Sequence, residues 1–367
     1  MSERRLRILH LVLMLGETNS QYNEHCLPMV GVRDLGIVTY FPPRLTPPPE
    51  IAVFAGDGSV RGFLRALRRA LDARAYDAVH AHAPESAAML LFALVTWGRL
   101  GRVRRSLVYT VHDSFKDYSA RNQALMLFTL WAFRSVVFCS DAARDSFPRP
   151  WRRLVRGRDR VVRNGADLDR VERTLAVSAA ATHDRFTVIS VGRLERVKDP
   201  DVVVDAFRAA AADGDRLVMI GTGALAPAVV EHAERVGLNG NVTFTGLIQR
   251  EDVFRRCGEA DVFISTSRGE GLPVAVIEAM AAGCAAVLSD IPPHRELVGD
   301  ATFIPLVEPG DVEGFADELR RFRTMDPAAR DELGRRCREH VRSRFNLSAM
   351  HAGYDVVYRD LARSGAA

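Results

Sequence analysis

One stretch in the second half of the chain has the pattern of a strand, a tight loop and a helix. Asp261–Thr266 is an apolar run, Ser267–Gly271 is a polar loop that contains glycine, and Leu272–Ala282 is rich in helix formers. Pro273 near the start and Gly283 just past the end of this last segment are typical of helix boundaries. A strand followed closely by a helix is the repeating unit of parallel α/β sheets.

The same alternation of apolar runs and helix-forming segments fills most of the chain. The predicted strands are 6–15, 35–41, 76–83, 107–113, 135–140, 161–165, 186–192, 216–221, 242–246, 261–266, 285–290 and 301–305. Such alternation is typical of parallel, doubly wound sheets. The polar, Ala-rich stretch 167–185 has no strand pattern, so we predict two α/β domains joined there.

Composition limits the class of protein. A chain of 367 residues has room for two ordinary domains, and 47% hydrophobic with 26% charged residues is typical of globular proteins. A net charge of +4 gives no footprint for nucleic acid. The five scattered cysteines have no metal-ligand spacing and favour free thiols in a reducing cytoplasm. The apolar runs 88–97 and 124–133 are too short to span a bilayer.

Polar residues follow several of the predicted strands. His82 and His112 end strands of the first domain, and Arg193, the glycines of 221–223 and Glu270 end strands of the second. Ligands of doubly wound sheets bind beyond the carboxyl ends of the strands. The sequence therefore predicts a ligand site at these ends, in a cleft between two sheets that face each other.

The second domain has the features of an anion site. Backbone N–H groups and the positive end of the helix dipole at 272–274 attract an anion such as a pyrophosphate. Arg193 and Lys198 flank another strand-to-helix turn, and two cations there suit a leaving diphosphate whose charge grows as the sugar–phosphate bond breaks. The Gly-rich segment 220–225 is followed by Ala226 where a dinucleotide fingerprint has its third glycine, which argues against a dinucleotide.

These segments resemble one known family. EGLPVAVIEAMAAG, with Glu270 and Glu278, resembles the E-x7-E signature of the retaining glycosyltransferases of family 4, which have the GT-B fold. The resemblance extends to four further segments: TVHDSF at 110–115, NGAD at 164–167, SVGRLERVKDPDVVVDAF at 190–207 and VTFTGLIQRED at 242–252. It implies two doubly wound, Rossmann-like domains that face an interdomain cleft. Residues 1–166, completed by the C-terminal helix 346–367, would bind the acceptor, and residues 167–345 would bind the donor.

The resemblance also implies roles for individual residues. Catalytic roles fall to His112, Arg193, Lys198 and Glu270. Donor binding falls to Gly16, Gly223, Leu247, Ile248, Gly271, Leu272, Pro273, Val274 and Glu278. Among these, Glu270 would hold the sugar hydroxyls, Glu278 the ribose hydroxyls, and the backbone near Leu247 and Ile248 would contact the base.

Two segments depart from the family pattern. The loop GETNSQYNEH, 16–25, has only Gly16 where many members have two glycines, so its polar side chains are candidates for binding acceptor hydroxyls. The acceptor-binding residues predicted there and at the end of the strand 76–83 are Glu17, Asn19, Asn23 and His82. In the second domain, Ala285 stands where a proline is common, and Pro292-Pro293-His294 replace the expected glycines.

The chemistry implied is transfer of a sugar from a nucleoside-diphosphate sugar, UDP- or GDP-linked, to a hydroxyl or amine with retention at the anomeric carbon. The expected partners are this donor and a small-molecule or glycan acceptor, in natural-product or cell-envelope glycan synthesis. No metal ion and no cofactor besides the donor co-substrate is expected, and no nucleic acid. The expected location is the cytoplasm.

Alternatives stay open from the sequence. A nucleotide-sugar epimerase on the same fold would yield an isomer instead of a glycoside, and a nucleotide-binding regulatory module would lack catalysis. An enzyme acting on a lipid-linked acceptor at the inner membrane surface would use the basic segments 61–69 and 150–163. A homodimer is likewise left open.

Overall fold

The chain forms two compact α/β units in the computed structural model, which describes residues 4–177 and 185–366. Unit 1 comprises Met1–Arg163 with Ser348–Ala367, and unit 2 comprises Asn164–Leu347. The predicted domains, 1–166 with 346–367 and 167–345, differ from this division by a few residues at each border. Among the described residues, no helix combines the length and the apolar character needed to cross a membrane.

Unit 1 is built on a seven-stranded parallel sheet. Its strands are β1 Arg7–Val12, β2 Asp34–Thr39, β3 Ala52–Phe54, β4 Ala78–Ala81, β5 Leu107–Val111, β6 Ser135–Phe138 and β7 Asp159–Val161. They lie in the order β3-β2-β1-β4-β5-β6-β7. The helices between them are α1 Val60–Ala73, α2 Pro84–Thr96, α3 Leu100–Val103, α4 Ala120–Ala132, α5 Asp141–Asp145 and α6 Arg149–Val155, with short turns at Gln21–Cys26, Leu27–Met29, Arg104–Ser106 and Phe115–Asp117.

Unit 2 repeats this plan with six parallel strands. They are β8 Thr187–Val191, β9 Arg216–Ile220, β10 Val242–Gly246, β11 Val262–Ser265, β12 Ala285–Ser289 and β13 Leu306–Val307, in the order β10-β9-β8-β11-β12-β13. The helices are α7 Leu168–Ala176, α8 Pro200–Ala210, α9 Ala226–Arg235, α10 Arg250–Gly258, α11 Val274–Ala281, α12 Pro292–Val298, α13 Val312–Thr324 and α14 Pro327–Arg344, with a 3₁₀ turn at Arg196–Lys198.

The central strands are buried and mostly apolar because helices cover both faces of a parallel sheet. In β5 and β12 every residue is buried. The last helix, α15 Leu347–Ala366, packs on unit 1, where the Tyr358 hydroxyl lies 2.7 Å from Nδ1 of His80. Arg33 donates to the Asp355 carboxylate at 2.6 Å. The C-terminal segment thus completes the first unit, although the whole of unit 2 precedes it in the chain.

Two strands differ from the prediction. β3 is absent from the prediction because three residues are too few for a strand pattern to be visible. The prediction of a strand at 301–305 is wrong: β13 begins at Leu306, after Pro305, and pairs with β12 at Leu288 and Ser289. Proline has no N–H for the ladder, so the chain joins the sheet only beyond it.

The stretch predicted to join the domains contains a helix. Its first part forms α7, whose N-terminus is capped by the Asp167 carboxylate accepting from the N–H of Arg170 at 2.9 Å. This helix belongs to unit 2 and packs on α10 and α11. The border between the units therefore precedes α7, at Arg163 and Asn164, and the remaining predicted linker residues 178–184 lie outside the described residues.

Candidate active site

The loops that follow the strands of unit 2 are joined by backbone hydrogen bonds. The N–H of Leu194, after β8, donates to the carbonyl of Thr222, after β9, at 3.0 Å. The N–H of Gly221 donates at 3.0 Å to the carbonyl of Gly246, which ends β10. The loops at the carboxyl ends of three neighbouring strands therefore form one connected surface.

Two glycines make this close approach feasible. A Cβ atom on Gly221, whose φ is +132°, would lie 1.9 Å from the carbonyl oxygen of Gly192. A Cβ atom on Gly223 would lie 2.3 Å from the carbonyl oxygen of Leu194. Gly223, predicted to bind the donor, is therefore required first for backbone packing, because any side chain would force the two loops apart.

Lys198 and Glu270 form an ion pair between the loops after β8 and β11. The Ser267 hydroxyl donates to the same carboxylate oxygen at 2.8 Å. The Thr266 hydroxyl, at 3.0 Å, donates to the carbonyl of Lys198 and so holds the lysine loop in place. Burial is the largest influence on the Glu270 carboxyl and opposes its ionisation, but the charges of Lys198 and His294 and the hydrogen bonds from Lys198 and Ser267 together outweigh burial and lower its pKa. Lys198, predicted to bind the diphosphate, and Glu270, predicted to bind the sugar hydroxyls, are thus in direct contact.

His294 extends this polar cluster, although the sequence analysis assigns it no site role. Its Nδ1 lies 2.8 Å from the carbonyl oxygen of Ser289 at the end of β12, so Nδ1 carries the proton in the neutral ring. Its Nε2 is buried and has no hydrogen-bond partner in the part of the chain that the structure describes. Burial lowers the pKa of His294, against the opposing charge of Glu270. Nε2 is therefore an acceptor available beside Glu270.

A second ion pair joins α10 and α11. Nε of Arg250 donates to Oε1 of Glu278 at 2.9 Å, and a terminal guanidinium nitrogen contacts the same oxygen. Both side chains are only 10% exposed. Glu278, predicted to hold ribose hydroxyls, thus has a buried cationic partner that the sequence reasoning missed. Arg250 lies four residues after the end of β10, and this strand-end position is the signal that could have revealed it.

The helix predicted to bind an anion is present. α11 begins at Val274, two residues later than predicted, because Pro273 adopts an extended conformation and serves as the N-cap residue. No side-chain cap satisfies its first turn, and the Asn164 amide donates instead to the carbonyl of Leu272 at 3.1 Å. Gly271 and Leu272 are buried beneath this turn. The N–H groups of a first turn without a side-chain cap are suited to an anion.

The remaining predicted residues of unit 2 are more exposed. Arg193 has a side chain that is 65% exposed and pairs with Glu195 at 2.9 Å, rather than with the Lys198–Glu270 pair. Leu247 is 58% exposed in the loop after β10, and Ile248 is half-buried there. An exposed apolar side chain in a strand-end loop is accessible to a planar ligand such as a base.

In unit 1, five imidazoles meet on one side of the sheet. His10 and His80 lie within β1 and β4, His82 and His112 follow β4 and β5, and His25 lies in the turn Gln21–Cys26. Nδ1 of His10 lies 2.9 Å from Nε2 of His82. Nδ1 of His82 lies 3.1 Å from Nε2 of His112. The two predicted histidines thus belong to a hydrogen-bonded chain of three rings, with His82 in the middle and His112 at one end.

These rings are neutral in the fold. Burial lowers the pKa of His10 to about 3 and that of His112 to about 4. Burial likewise lowers the pKa of His25, His80 and His82 well below the ordinary range, helped by the charges that the neighbouring rings would carry. A neutral imidazole has one donor and one acceptor, so the chain of rings has a single direction.

The histidine cluster also contains the groups that could hold a metal ion. Ligand nitrogens of His10, His80 and His82, and those of His25, His82 and His112, lie within 4.8 Å of one another. In the first group, the His80 nitrogens already contact Tyr358 and Thr110 at 2.7 Å. In the second, His82 and His112 are hydrogen-bonded to each other. A metal ion would have to replace these hydrogen bonds.

The N-terminal loop uses the side chains of two predicted acceptor residues for its own structure. The Asn23 amide donates to the carbonyls of Glu17 and Asn19, both at 2.8 Å. Oδ1 of Asn19 accepts from the N–H of Tyr22 at 2.7 Å. Gly16 is buried and Glu17 is exposed. Asn23 thus holds the loop closed, while the Glu17 carboxylate remains accessible.

Two family models match consecutive parts of the chain. The model described as Glycosyltransferase Family 4 matches residues 31–170, and the one described as Glycosyl transferases group 1 matches residues 172–343. Together they cover most of both units, and their border falls within α7.

Individual relatives agree with these matches. N-acetyl-alpha-D-glucosaminyl L-malate synthase of Bacillus anthracis is 25% identical over 48% of this chain and 46% of its own length. D-inositol 3-phosphate glycosyltransferase of Mycolicibacterium smegmatis is 29% identical over 51% of this chain and 44% of its own. Phosphatidyl-myo-inositol mannosyltransferase of Mycobacterium leprae is 26% identical over 82% of this chain and 77% of its own. The chain thus matches about half the length of the first two.

Solved structures match the whole chain. Anabaena Alr3699/HepE, in complex with UDP and glucose, has a TM-score of 0.77 at 16% identity and covers 97% of this chain and 100% of its own. Sucrose-phosphate synthase from Thermosynechococcus elongatus has a TM-score of 0.79 at 20% identity, with 98% and 100% covered. At these identities the likeness establishes the fold alone. The chain belongs to the glycosyltransferases of family 4 and has their GT-B fold of two parallel-sheet α/β domains.

Proposed function

We propose that the chain transfers a sugar from a nucleoside-diphosphate sugar to a hydroxyl or amine of an acceptor, with retention at the anomeric carbon. The observation that carries the proposal is the contact of Lys198 with Glu270 in the strand-end loops of unit 2. A cation beside a carboxylate, close to a sheet edge with an uncapped helix start, matches the two ends of such a donor: a diphosphate and a set of sugar hydroxyls.

In this proposal the diphosphate is held by Lys198 and by the first-turn N–H groups of α11. Both become more favourable as negative charge develops on the leaving phosphate oxygen, so both lower the barrier of the transfer step. Glu270 and Nε2 of His294 accept hydrogen bonds from sugar hydroxyls. Arg193 is assigned to the outer phosphate, since its exposed side chain has room to turn towards it.

The nucleoside is assigned to Glu278 and the loop after β10. The Glu278 carboxylate accepts from ribose hydroxyls while the hydrogen bond from Arg250 keeps it oriented. The exposed Leu247 and the half-buried Ile248 contact the base. UDP is the favoured donor nucleotide, because Alr3699/HepE was solved in complex with UDP.

Unit 1 is assigned to the acceptor, with His112, His82, Glu17 and Asn19 as its candidate contacts. Since His112 is neutral, it acts as a hydrogen-bond donor or acceptor and brings no charge. The incoming hydroxyl attacks from the face that the diphosphate leaves, and the departing phosphate oxygen takes its proton. No metal ion and no cofactor is part of this proposal, because cationic side chains and backbone amides of the chain stabilise the negative charge of the diphosphate.

A lipid-linked acceptor is the second candidate for the acceptor class. Phosphatidyl-myo-inositol mannosyltransferase of Mycobacterium leprae is named for a lipid acceptor. An Escherichia coli relative, 23% identical over 77% of this chain, is named as a galactosyltransferase acting on a diphosphoundecaprenol-linked sugar. These names favour cell-envelope glycans over free small molecules.

The test begins with the donor. Thermal unfolding is followed with UDP, GDP, ADP and dTDP, since a ligand that binds only the folded state raises the melting temperature. The stabilising nucleotide then selects nucleotide sugars for incubation with candidate acceptors, and the product's anomeric configuration is read by NMR. A new glycoside with retained configuration supports the proposal. An isomerised donor sugar without a glycoside would indicate the epimerase instead.

A further inference from the structure

Four helices of unit 1 form one continuous layer. α1, α2, α4 and α6 each connect strands that step in the same direction across the sheet, and right-handed crossovers place them on the same face. α1 packs on α2, α2 on α4, and α4 on α6. We call the outer side of these four helices the helix-layer surface.

The two middle helices of this surface expose large apolar side chains. On α2 these are Phe92 and Val95, each 60% exposed. On α4 they are Leu127 at 45%, Phe128 at 67% and Trp131 at 58%. Three- and four-residue spacings put each set on one side of its helix. Adjacent exposed apolar side chains of this size mark an interaction surface in a globular protein.

The two outer helices are rich in arginine. On α1, Arg65, Arg68 and Arg69 line a cleft of about 600 Å³ together with two aspartates. This cleft lies on one flank of the apolar strip. Arg65 pairs with Asp57 at 2.8 Å and Arg68 with Asp72 at 3.8 Å, so the charge of this flank is partly neutralised.

The opposite flank is more strongly basic. Five arginines around α6, with two aspartates, line a cleft of about 430 Å³. Arg152 contacts Asp145 at 3.1 Å. For Arg149, Arg153 and Arg156, the part of the chain that the structure describes contains no acidic partner. This cleft therefore has an excess of positive charge that a phosphate could neutralise.

Hydrogen bonds connect the basic flank at α6 to the apolar helix α4. The Arg158 guanidinium donates to the carbonyl of Leu130 in α4 at 3.0 Å and to that of Leu154 in α6 at 2.7 Å. Burial lowers the pKa of Arg158, and the nearby guanidinium groups of Arg104 and Arg134 add to this effect. Positive charge is therefore concentrated beside Trp131, over whose ring Arg104 lies at 5.4 Å.

We propose that the helix-layer surface binds an anionic phospholipid bilayer. The apolar side chains of α2 and α4 enter the interface below the headgroups, and the two arginine-lined clefts bind headgroup phosphates on either side. Aromatic and aliphatic side chains between cationic flanks are the composition of an interfacial membrane-binding element. The proposal goes beyond sugar transfer and does not depend on it, because binding to vesicles is measured without turnover.

A second copy of the chain fits this surface less well. A two-fold interface through the apolar strip is self-complementary, so each arginine-rich flank would face an arginine-rich flank of the other copy. Nucleic acid also fits less well, because its phosphates would have to pass over exposed Phe128 and Trp131. An anionic bilayer meets both the charge of the flanks and the apolar character of the centre.

The test is co-sedimentation with vesicles of phosphatidylcholine alone and of phosphatidylcholine mixed with phosphatidylglycerol, at low and at high salt. We expect binding to the anionic vesicles only, and weaker binding at high salt. Equal binding to both vesicle types, or to neither, overturns the proposal.

Two pairs of variants locate the surface. Phe128→Glu combined with Trp131→Glu should abolish vesicle binding, whereas Val356→Glu, at a 57% exposed position of α15, should leave it unchanged. Arg149→Ala combined with Arg153→Ala should weaken binding about 25-fold, since each arginine near an anionic surface contributes about fivefold, or about 1 kcal/mol. Arg216→Ala combined with Arg256→Ala, in unit 2, is the matched control.

All variants are compared by circular dichroism and melting temperature, because their side chains are exposed and the fold should persist. If the Phe128 and Trp131 variant binds vesicles like the parent, the helix-layer surface is not the membrane contact. If it instead converts a dimer to a monomer in sedimentation while the parent ignores vesicles, the surface is a self-association face. Preferential binding of the parent to DNA over vesicles would likewise overturn the proposal.

Discussion

The two units have nearly the same sheet topology, yet the carboxyl ends of their strands carry opposite chemistry. Unit 2 brings together ionised pairs, Lys198 with Glu270 and Arg250 with Glu278. Unit 1 brings together imidazoles that burial keeps neutral, with His10 and His112 as examples. The topology therefore fixes where ligand groups gather, and the side chains decide whether the edge handles charge or neutral hydroxyls.

The use of lysine at position 198 supports the interpretation that unit 2 binds a charged ligand. The chain contains 50 lysines and arginines, of which only Lys116 and Lys198 are lysines. In a chain that otherwise uses arginine, a lysine at the ion pair with Glu270 points to a need for a compact charge. An ammonium is a smaller and more flexible donor than a planar guanidinium.

The largest expected difference between the two units is in their loss of stability on acidification. Histidines whose pKa is lowered in the fold bind more protons when unfolded, so the stability they contribute above pH 6.5 is lost as the pH falls from 6.5 towards about 3. Each such histidine costs about 1.4 kcal/mol per pH unit in that window. Unit 1 has five of them, so its stability should fall by several kcal/mol between pH 6.5 and 5.

The measurement is hydrogen exchange followed by mass spectrometry at pH 7 and pH 5, corrected for the intrinsic exchange rate, with peptides assigned to each unit. Unit 2 contributes His294 to the same effect, and the lowered pKa of Glu270 acts only below the ordinary carboxyl range. Peptides of β1, β4 and β5 should lose protection first. Equal loss in both units, or earlier loss in unit 2, would contradict the contrast between the edges.

Removing the cation at the charged edge should have the next largest effect. Lys198→Ala deletes the group assigned to the diphosphate, and loss of one such stabilising donor lowers kcat about 100- to 1,000-fold. It also leaves the buried Glu270 carboxylate without its partner, which lowers the melting temperature. Steady-state kinetics and thermal unfolding measure the two effects.

A double variant separates these two roles of Lys198. Lys198→Ala with Glu270→Gln should regain stability, because no unpaired charge remains, and should stay inactive. Lys116→Ala, at the other lysine, should be indistinguishable from the parent in both measurements. Full activity of Lys198→Ala would remove the basis of the proposed donor site.

Glu278→Ala should reduce donor binding and turnover more moderately. A hydrogen bond to a charged group contributes about 1.5–3 kcal/mol, which corresponds to about a 10- to 100-fold change. The nucleotide dissociation constant from calorimetry should rise, and the melting temperature should also fall, because the Arg250 side chain is only 10% exposed and loses the Glu278 carboxylate. Glu231→Ala, at an exposed position of α9, is the control. Unchanged nucleotide affinity would separate Glu278 from the ribose.

Metal removal is expected to have no effect on transfer. If the diphosphate is held by cations and amides of unit 2, dialysis against EDTA should leave the rate unchanged. Loss of activity that zinc restores would instead assign a metal ion to the histidines of unit 1, and the two edges would then both be charged.

The sequence predicts most of the fold and part of the candidate site. Strand-to-helix boundaries lead to Lys198, Glu270 and the start of α11, because each lies where an apolar run gives way to polar or small residues. His10 and His80 are missed because they lie inside apolar runs, where a histidine looks like a core residue. Arg250 is missed because its partner Glu278 lies on the following helix, beyond β11, and sequence spacing alone cannot show that the two side chains meet.

The position of α15 also has a consequence for biosynthesis. Unit 2 is made from one uninterrupted stretch, so all of its residues leave the ribosome before those of α15. Unit 1 has to wait, with His80 and Arg33 lacking Tyr358 and Asp355, until the end of the chain emerges. The part of the protein that is translated first is therefore the part that matures last.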